Sequence, residues 1–137
     1  MRDHFTVCLV DDDPSVLKAT SRLLTSAGWK AEPFSDPVAF LQYAEASRPH
    51  LAVLDIWMPA MNGLQVQDRL RSVSPDTHVI VLTSKDDPSV RSRAVAAGAL
   101  AFFLKPAPDD EFLKEIESVY WKTNGAGQRS LGIEQTA

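Results

Sequence analysis

Short apolar runs alternate along this chain with stretches whose apolar residues recur every three or four positions. Residues 5–10, Phe5-Thr6-Val7-Cys8-Leu9-Val10, read as a strand. Residues 15–27 read as a helix with Val16, Thr20, Leu23, Leu24 and Ala27 on one face. Pro14 suits its first turn and Gly28 its exit. Residues 30–34 form a short, more polar strand, suited to a sheet edge, and residues 37–46 form a helix through Val38, Leu41 and Ala44. A strand over 51–55 and a helix over 62–74, through Val66, Leu70 and Val73, come next. Residues 78–83 contain the continuous β-branched run Val79-Ile80-Val81-Leu82, as expected of a strand buried on both faces. A small-residue helix over 88–97 ends at Gly98. A strand over 101–104 and a helix over 108–122, through Phe112, Ile116, Val119 and Tyr120, complete the pattern.

Five β–α pairs in strict alternation predict an α/β fold, a parallel sheet with helices on both faces. Right-handed crossovers leave few ways to wind such a sheet. Ligands of open parallel sheets bind outside the carboxyl ends of the strands, near the switch in strand order. Residues 1–122 form one domain on this reading. Residues 123–137, with Gly125-Ala126-Gly127 and no sustained apolar period, read as a tail or linker stub.

The chemistry concentrates at those strand ends. Asp11, Asp12 and Asp13 follow the first strand directly, and Asp55 ends the third. Clustered carboxylates are costly unless a cation or protons neutralise them. Hard divalent cations take oxygen ligands, and Mg²⁺ keeps several waters while taking one or two carboxylates. Asp11, Asp12 and Asp55 supply such oxygens, while Asp13 points away or starts the first helix. An aspartate beside a bound cation can also act as a nucleophile and form an acyl phosphate. Thr83 and Lys105, at the ends of two further strands, suit a phosphoryl oxygen as hydroxyl donor and point charge. Taken singly, Asp55 and Thr83 read as caps or turn residues and Lys105 as a solvated lysine. Asp55 as acceptor makes sense of all of them together.

Net charge of −4 gives no electrostatic help to nucleic-acid binding. The single cysteine, Cys8, lies inside a strand and reads as a buried structural thiol. The lack of a disulfide framework points to a reducing, cytoplasmic setting. No segment approaches the roughly 20 apolar residues that span a membrane. His4, His50 and His78 lie near strand starts, opposite the proposed site, which argues against a histidine metal cluster.

From about residue 4 to residue 122 the chain closely resembles the receiver domain of bacterial two-component response regulators. The matching pieces are Val10-Asp11-Asp12-Asp13-Pro14, Leu54-Asp55-Ile56-Trp57-Met58-Pro59, Asn62-Gly63, Val81-Leu82-Thr83-Ser84 and Phe102-Phe103-Leu104-Lys105-Pro106. The resemblance implies a flavodoxin-like doubly wound sheet of strand order 2-1-3-4-5. It implies Asp55 as phosphoryl acceptor, Asp12 as a direct Mg²⁺ ligand with Asp11 nearby, and the backbone carbonyl of Trp57 as a further ligand. Thr83 and Lys105 would bind phosphoryl oxygens, and Phe102 would be the switch aromatic, turning inward as Thr83 moves. Lys105-Pro106 matches a peptide bond that is cis in this family, and Pro59 and Gly63 shape the loop beside the acceptor.

Two positions that tune phosphate lifetime in the family hold Trp57 and Lys85 here, and the switch position lacks a tyrosine hydroxyl. The implied donor is a sensor histidine kinase or phosphotransfer protein. The implied reporter is the surface of helix 88–97, strand 101–104 and helix 108–122, where a homodimer could form. The chain would be a switch that takes part in its own phosphorylation and dephosphorylation rather than a turnover enzyme. The Met58–Gly63 stretch looks like regulators with a C-terminal helix-turn-helix output, for which the fifteen residues after Lys122 are too few. The chain reads as a single-domain receiver or a fragment of a longer regulator. Competing readings are a haloacid-dehalogenase-type phosphatase using Asp11 and Asp13, a flavodoxin-type cofactor binder, and a degenerate receiver that binds partners without phosphorylation.

Overall fold

The computed structural model describes residues 5–125. His4 and the segment 126–137 lie outside the described residues. The chain runs β1 (Thr6–Val10), α1 (Pro14–Ser26), β2 (Lys30–Phe34), α2 (Pro37–Ser47), β3 (Leu51–Leu54), α3 (Gly63–Val73), β4 (His78–Thr83), α4 (Pro88–Ala96), β5 (Ala101–Leu104) and α5 (Asp109–Tyr120). All four strand pairings are parallel, in the order β2-β1-β3-β4-β5. The chain winds from β1 outward to β2, then back across β1 to β3. That reversal opens a crevice at the carboxyl ends of β1 and β3. Among the described residues no helix is long and apolar enough to cross a membrane.

Local chemistry sets where the helices begin. α1, α2 and α4 each start on an Asp-Pro pair: Asp13-Pro14, Asp36-Pro37 and Asp87-Pro88. Proline has the φ of a first helical residue and no N–H to leave orphaned. The preceding aspartate accepts from the backbone N–H two residues on, at 2.9 to 3.0 Å. α3 is capped differently, by reciprocal bonds between Asn62 and Gln65 at 2.9 Å each. α5 has no side-chain cap, but Asp109, Asp110 and Glu111 place negative charge in its first turn.

Two apolar layers sandwich the sheet. One joins Cys8, Val10, Ala52, Leu54, Val79 and Val81 to α2, α3 and α4. The other joins Val7, Leu9, Val53, Ile80 and Leu82 to α1 and α5. β3 and the body of β4 are buried on both faces, as the unbroken apolar runs predict. Fully burying side chains such as Phe40, Phe112 or Ile116 contributes about 1.5–3 kcal/mol each. Cys8 is wholly buried, and burial, with a smaller effect of Glu32, pushes its thiol pKa up to about 12. It is a packed apolar residue rather than a reactive one.

Several sequence expectations need correction. The buried stripe of α1 centres on Leu17 and Leu24, and Ala27 lies past the helix as its cap. In α2, Val38 is exposed; Phe40 and Ala44 point inward, with Phe40 meeting Phe34 edge-on. Both registers satisfy a helical period, and the larger ring takes the core. In α3 the core face includes Gln67, only 2% exposed, whose Nε2 donates to Ala94 O at 2.9 Å. The final helix stops at Tyr120 instead of 122. A wider π-type turn, Trp121–Gly125, follows it where a tail was expected. The Thr123 hydroxyl donates to Tyr120 O there. Trp29 is buried against the rings of Phe5 and Tyr120.

Candidate functional site

Backbone bonds across the sheet fix the strand ends relative to one another. Asp55 N–H donates to Val10 O at 2.9 Å, Asp11 N–H to Phe34 O at 3.1 Å and Lys105 N–H to Thr83 O at 2.8 Å. These bonds extend the parallel ladders one residue past the regular strands. They deliver Asp11, Asp12, Asp55, Thr83 and Lys105 to one pole of the molecule. His50 and His78 lie at the starts of β3 and β4, at the other pole.

Carboxylate oxygens of Asp11, Asp12 and Asp55 all lie within 4.8 Å of one another. Asp11 and Asp55 are buried and Asp12 is exposed. Asp13 turns away to cap α1, so its carboxylate is already engaged. Its own N–H donates to Asp11 Oδ1 at 2.9 Å. Lys105 Nζ lies 2.6 Å from Asp11 Oδ2 and 3.6 Å from Asp55 Oδ2. Its peptide bond to Pro106 is cis.

Burial pushes the Asp55 carboxyl above its ordinary value, and the charge on Asp11 pushes it further. Lys105, then Thr83, pull in the opposite direction without cancelling the rise. Thr83 stands close enough to favour the ionised form, yet its hydroxyl misses hydrogen-bond geometry. Asp55 Oδ1 and Thr83 Oγ1 are both buried without a partner. A buried polar group left without a partner costs about 1–3 kcal/mol. Both oxygens lie next to the carboxylate cluster of Asp11, Asp12 and Asp55. The set of oxygens fits a hard divalent ion such as Mg²⁺.

The rim carries the remaining residues singled out from the sequence. Trp57 is 40% exposed, and Lys85 Nζ lies 4.8 Å from its ring centroid. Met58 and Gly63 N–H both donate to Ile56 O, folding the loop tightly back beside Asp55. Phe102 pairs with Val81 across β4 and β5, half-buried against the α4 layer. Sequence reasoning missed Arg91, whose guanidinium lies over the Phe102 ring at 4.6 Å. Nothing in a small-residue helix marks that contact. It also missed the Lys105–Asp11 pair, which joins residues far apart in the chain.

Residues 7–117 match the family of the response regulator receiver domain. The response regulator protein TodT of Pseudomonas putida is 35% identical over 119 residues, covering 86% of this chain and 52% of that protein. The response regulator MprA of Mycobacterium leprae is 35% identical over 117 residues, covering 85% and 51%. The chain therefore spans about half the length of these relatives. Its fold is similar to that of the Vibrio cholerae chemotaxis protein CheY4. The TM-score is 0.77 at 28% identity, covering 84% of this chain and 98% of that one.

Proposed function

The chain belongs to the response regulator receiver family, and from that premise we propose that it is a phosphorylation-dependent switch with Asp55 as its phosphoryl acceptor. The observation that carries this reading is the pair of buried, unpartnered oxygens, Asp55 Oδ1 and Thr83 Oγ1, beside Lys105 and the carboxylate cluster. A phosphoryl group on Asp55 supplies what both lack: a bond to one and an acceptor for the other.

In the proposed step an Asp55 oxygen attacks phosphorus. The bond from phosphorus to the donor breaks, and the leaving group keeps its electron pair and takes a proton from solvent. The donor would be a phosphohistidine of a sensor kinase or phosphotransfer protein. Asp11, Asp12, Asp55 and the Trp57 carbonyl would hold Mg²⁺, whose charge offsets that of the phosphoryl oxygens. Lys105 stands ready to contact one phosphoryl oxygen, and Thr83 to donate its hydroxyl to another. Water later hydrolyses the acyl phosphate, so the chain is a switch and not a turnover enzyme.

A groove of about 360 Å³ opens beside Lys105, lined by Val16, Ala19, Leu23, Pro106 and Phe112. It suits the apolar face of a donor helix. Val95 and Leu104, 53% and 40% exposed, lie on α4 and β5 and suit a homodimer through α4, β5 and α5. The phosphatase reading is disfavoured, because Asp13 is committed to the cap of α1 and Asp11 to Lys105.

The direct test is incubation with acetyl phosphate and Mg²⁺, followed by intact mass and mapping of the modified residue. One phosphoryl group on Asp55 is expected. A label on Asp11, or none at all, overturns the reading. In the same preparation, Mg²⁺ is expected to change the tryptophan fluorescence. Trp57→Phe should lose most of that change while Trp29 and Trp121 supply a constant background.

We propose that the Trp57 ring, which Lys85 lies against, screens the acceptor from water. Trp57→Ala is therefore expected to shorten the acyl phosphate half-life several-fold, measured as inorganic phosphate released from purified phosphoprotein. An unchanged half-life would discard the screening role and leave the acceptor assignment standing.

A further inference from the structure

The segment from Lys85 to Arg91 carries two cations that each lie on an aromatic ring from another element. Lys85 meets Trp57 on the β3–α3 loop, and Arg91 meets Phe102 on β5. Arg91 does more than cover a ring. Its Nη2 donates to Asp86 Oδ1 at 3.1 Å. Asp86 lies in the short loop directly after Thr83. One guanidinium thus touches both the switch ring and the segment that any displacement of Thr83 must drag.

We propose that Arg91 is a positioning residue for the switch. Its guanidinium holds Phe102 in the half-buried position seen here, and its pair with Asp86 ties that hold to the Thr83 loop. The inference rests on the proposed function and deepens it. Phe102 carries no hydroxyl, so no hydrogen bond of its own can select a rotamer. A cation over the ring face supplies a directional contact instead. An exposed contact of this kind shifts a two-state equilibrium about two- to fivefold. The far end of α4 is anchored, because Gln67 Nε2 donates to Ala94 O at 2.9 Å. Displacement of Thr83 toward a phosphoryl oxygen therefore acts mainly on the first turns of α4. There it carries Asp86 along, draws the guanidinium off Phe102 and frees the ring to turn.

The test is a titration of the full chain with beryllofluoride, a phosphoryl mimic, in the presence of Mg²⁺. Aromatic NMR signals of Phe102 report the switch. Arg91→Gln is expected to lower the half-saturating concentration about two- to fivefold. It should also move the resting Phe102 signals toward their activated positions. Arg91→Lys, which keeps a cation, should restore most of the wild-type response. Upfield shifts of the Arg91 side-chain protons by the ring should vanish in Phe102→Leu. Wild type that binds no beryllofluoride overturns the proposed function and this inference together. Wild type that binds it, with Arg91→Gln indistinguishable from it in half-saturation and in the Phe102 signals, overturns this inference alone.

Discussion

Asp55→Asn is expected to take up no phosphoryl group and, without divalent ions, to melt at a higher temperature than wild type. The first effect is chemical. A carboxamide is a far weaker nucleophile than a carboxylate, and two of the neighbouring carboxylates are already engaged, while Asp12 is exposed and solvated rather than set beside Lys105 and Thr83. Asp11 is held by Lys105 at 2.6 Å and Asp13 by the start of α1. Acetyl phosphate should therefore label the variant only to background. The second effect is electrostatic. Asp55 is 5% exposed and its Oδ1 has no partner. Burial first, and Asp11 second, raise its pKa in the folded chain.

Between the unfolded value and this raised one, the folded state binds more protons than the unfolded state. Stability therefore falls as pH climbs through that window and stays lowered above it. The neutral amide removes the penalty. Lys105 is not stranded by the change, since its closer partner is Asp11. A gain of about 1 kcal/mol corresponds to a rise of about 3–6 °C for a domain of this size. Melts followed by circular dichroism in EDTA should show the gain near pH 7 and its loss near about pH 4, around the ordinary carboxylate range. A variant less stable than wild type at neutral pH would mean that Lys105 more than compensates the buried charge.

Much of this site was readable because its residues interrupt a pattern. Asp11, Asp12, Asp55, Thr83 and Lys105 are polar residues at the ends of apolar runs, and the parallel topology brings all such ends to one pole. The fold was legible for the same reason: strand and helix periods differ, and the Asp-Pro pairs punctuate three helix starts. What escaped were choices between equivalent periods and contacts between distant segments. Val38 fits a helical face as well as Phe40 does, and only packing against Phe34 decides between them. Gln67 reads as a surface residue until α4 supplies the carbonyl that satisfies its amide. Lys105 was legible as a member of the site, but its pairing with Asp11 depends on how β5 lies relative to β1. Arg91 reads as one solvated charge among several; its contact with Phe102 exists only once α4 is laid beside β5.

Gly63→Ala is expected to be the most damaging single-atom change near the site. The ordinary expectation has the opposite sign. Gly63 opens α3, and replacing a helical glycine with alanine usually stabilises by about 0.4–1 kcal/mol, by narrowing the unfolded ensemble. Here a Cβ would stand 2.4 Å from the Asp55 carbonyl oxygen and 2.9 Å from Ile56 Cα and Cδ1. The nearest of these are backbone atoms and cannot rotate away. The Asp55 N–H is bonded to Val10 O and the Gly63 N–H to Ile56 O, so the loop is pinned from both sides.

Relief requires α3 or the end of β3 to shift, which costs about 3 kcal/mol and lowers the melting temperature by about 10 °C or more. The shift falls on Asp55, the proposed acceptor, so the folded fraction should also accept phosphate more slowly from acetyl phosphate. Gly98→Ala separates the causes. Gly98 has φ of +108° with nothing within 4 Å of an added Cβ, so its cost is backbone strain alone and should leave the phosphorylation rate unchanged. A Gly63→Ala variant as stable as wild type would mean that the β3–α3 loop yields easily, and that the close approach of α3 does not hold Asp55 in place.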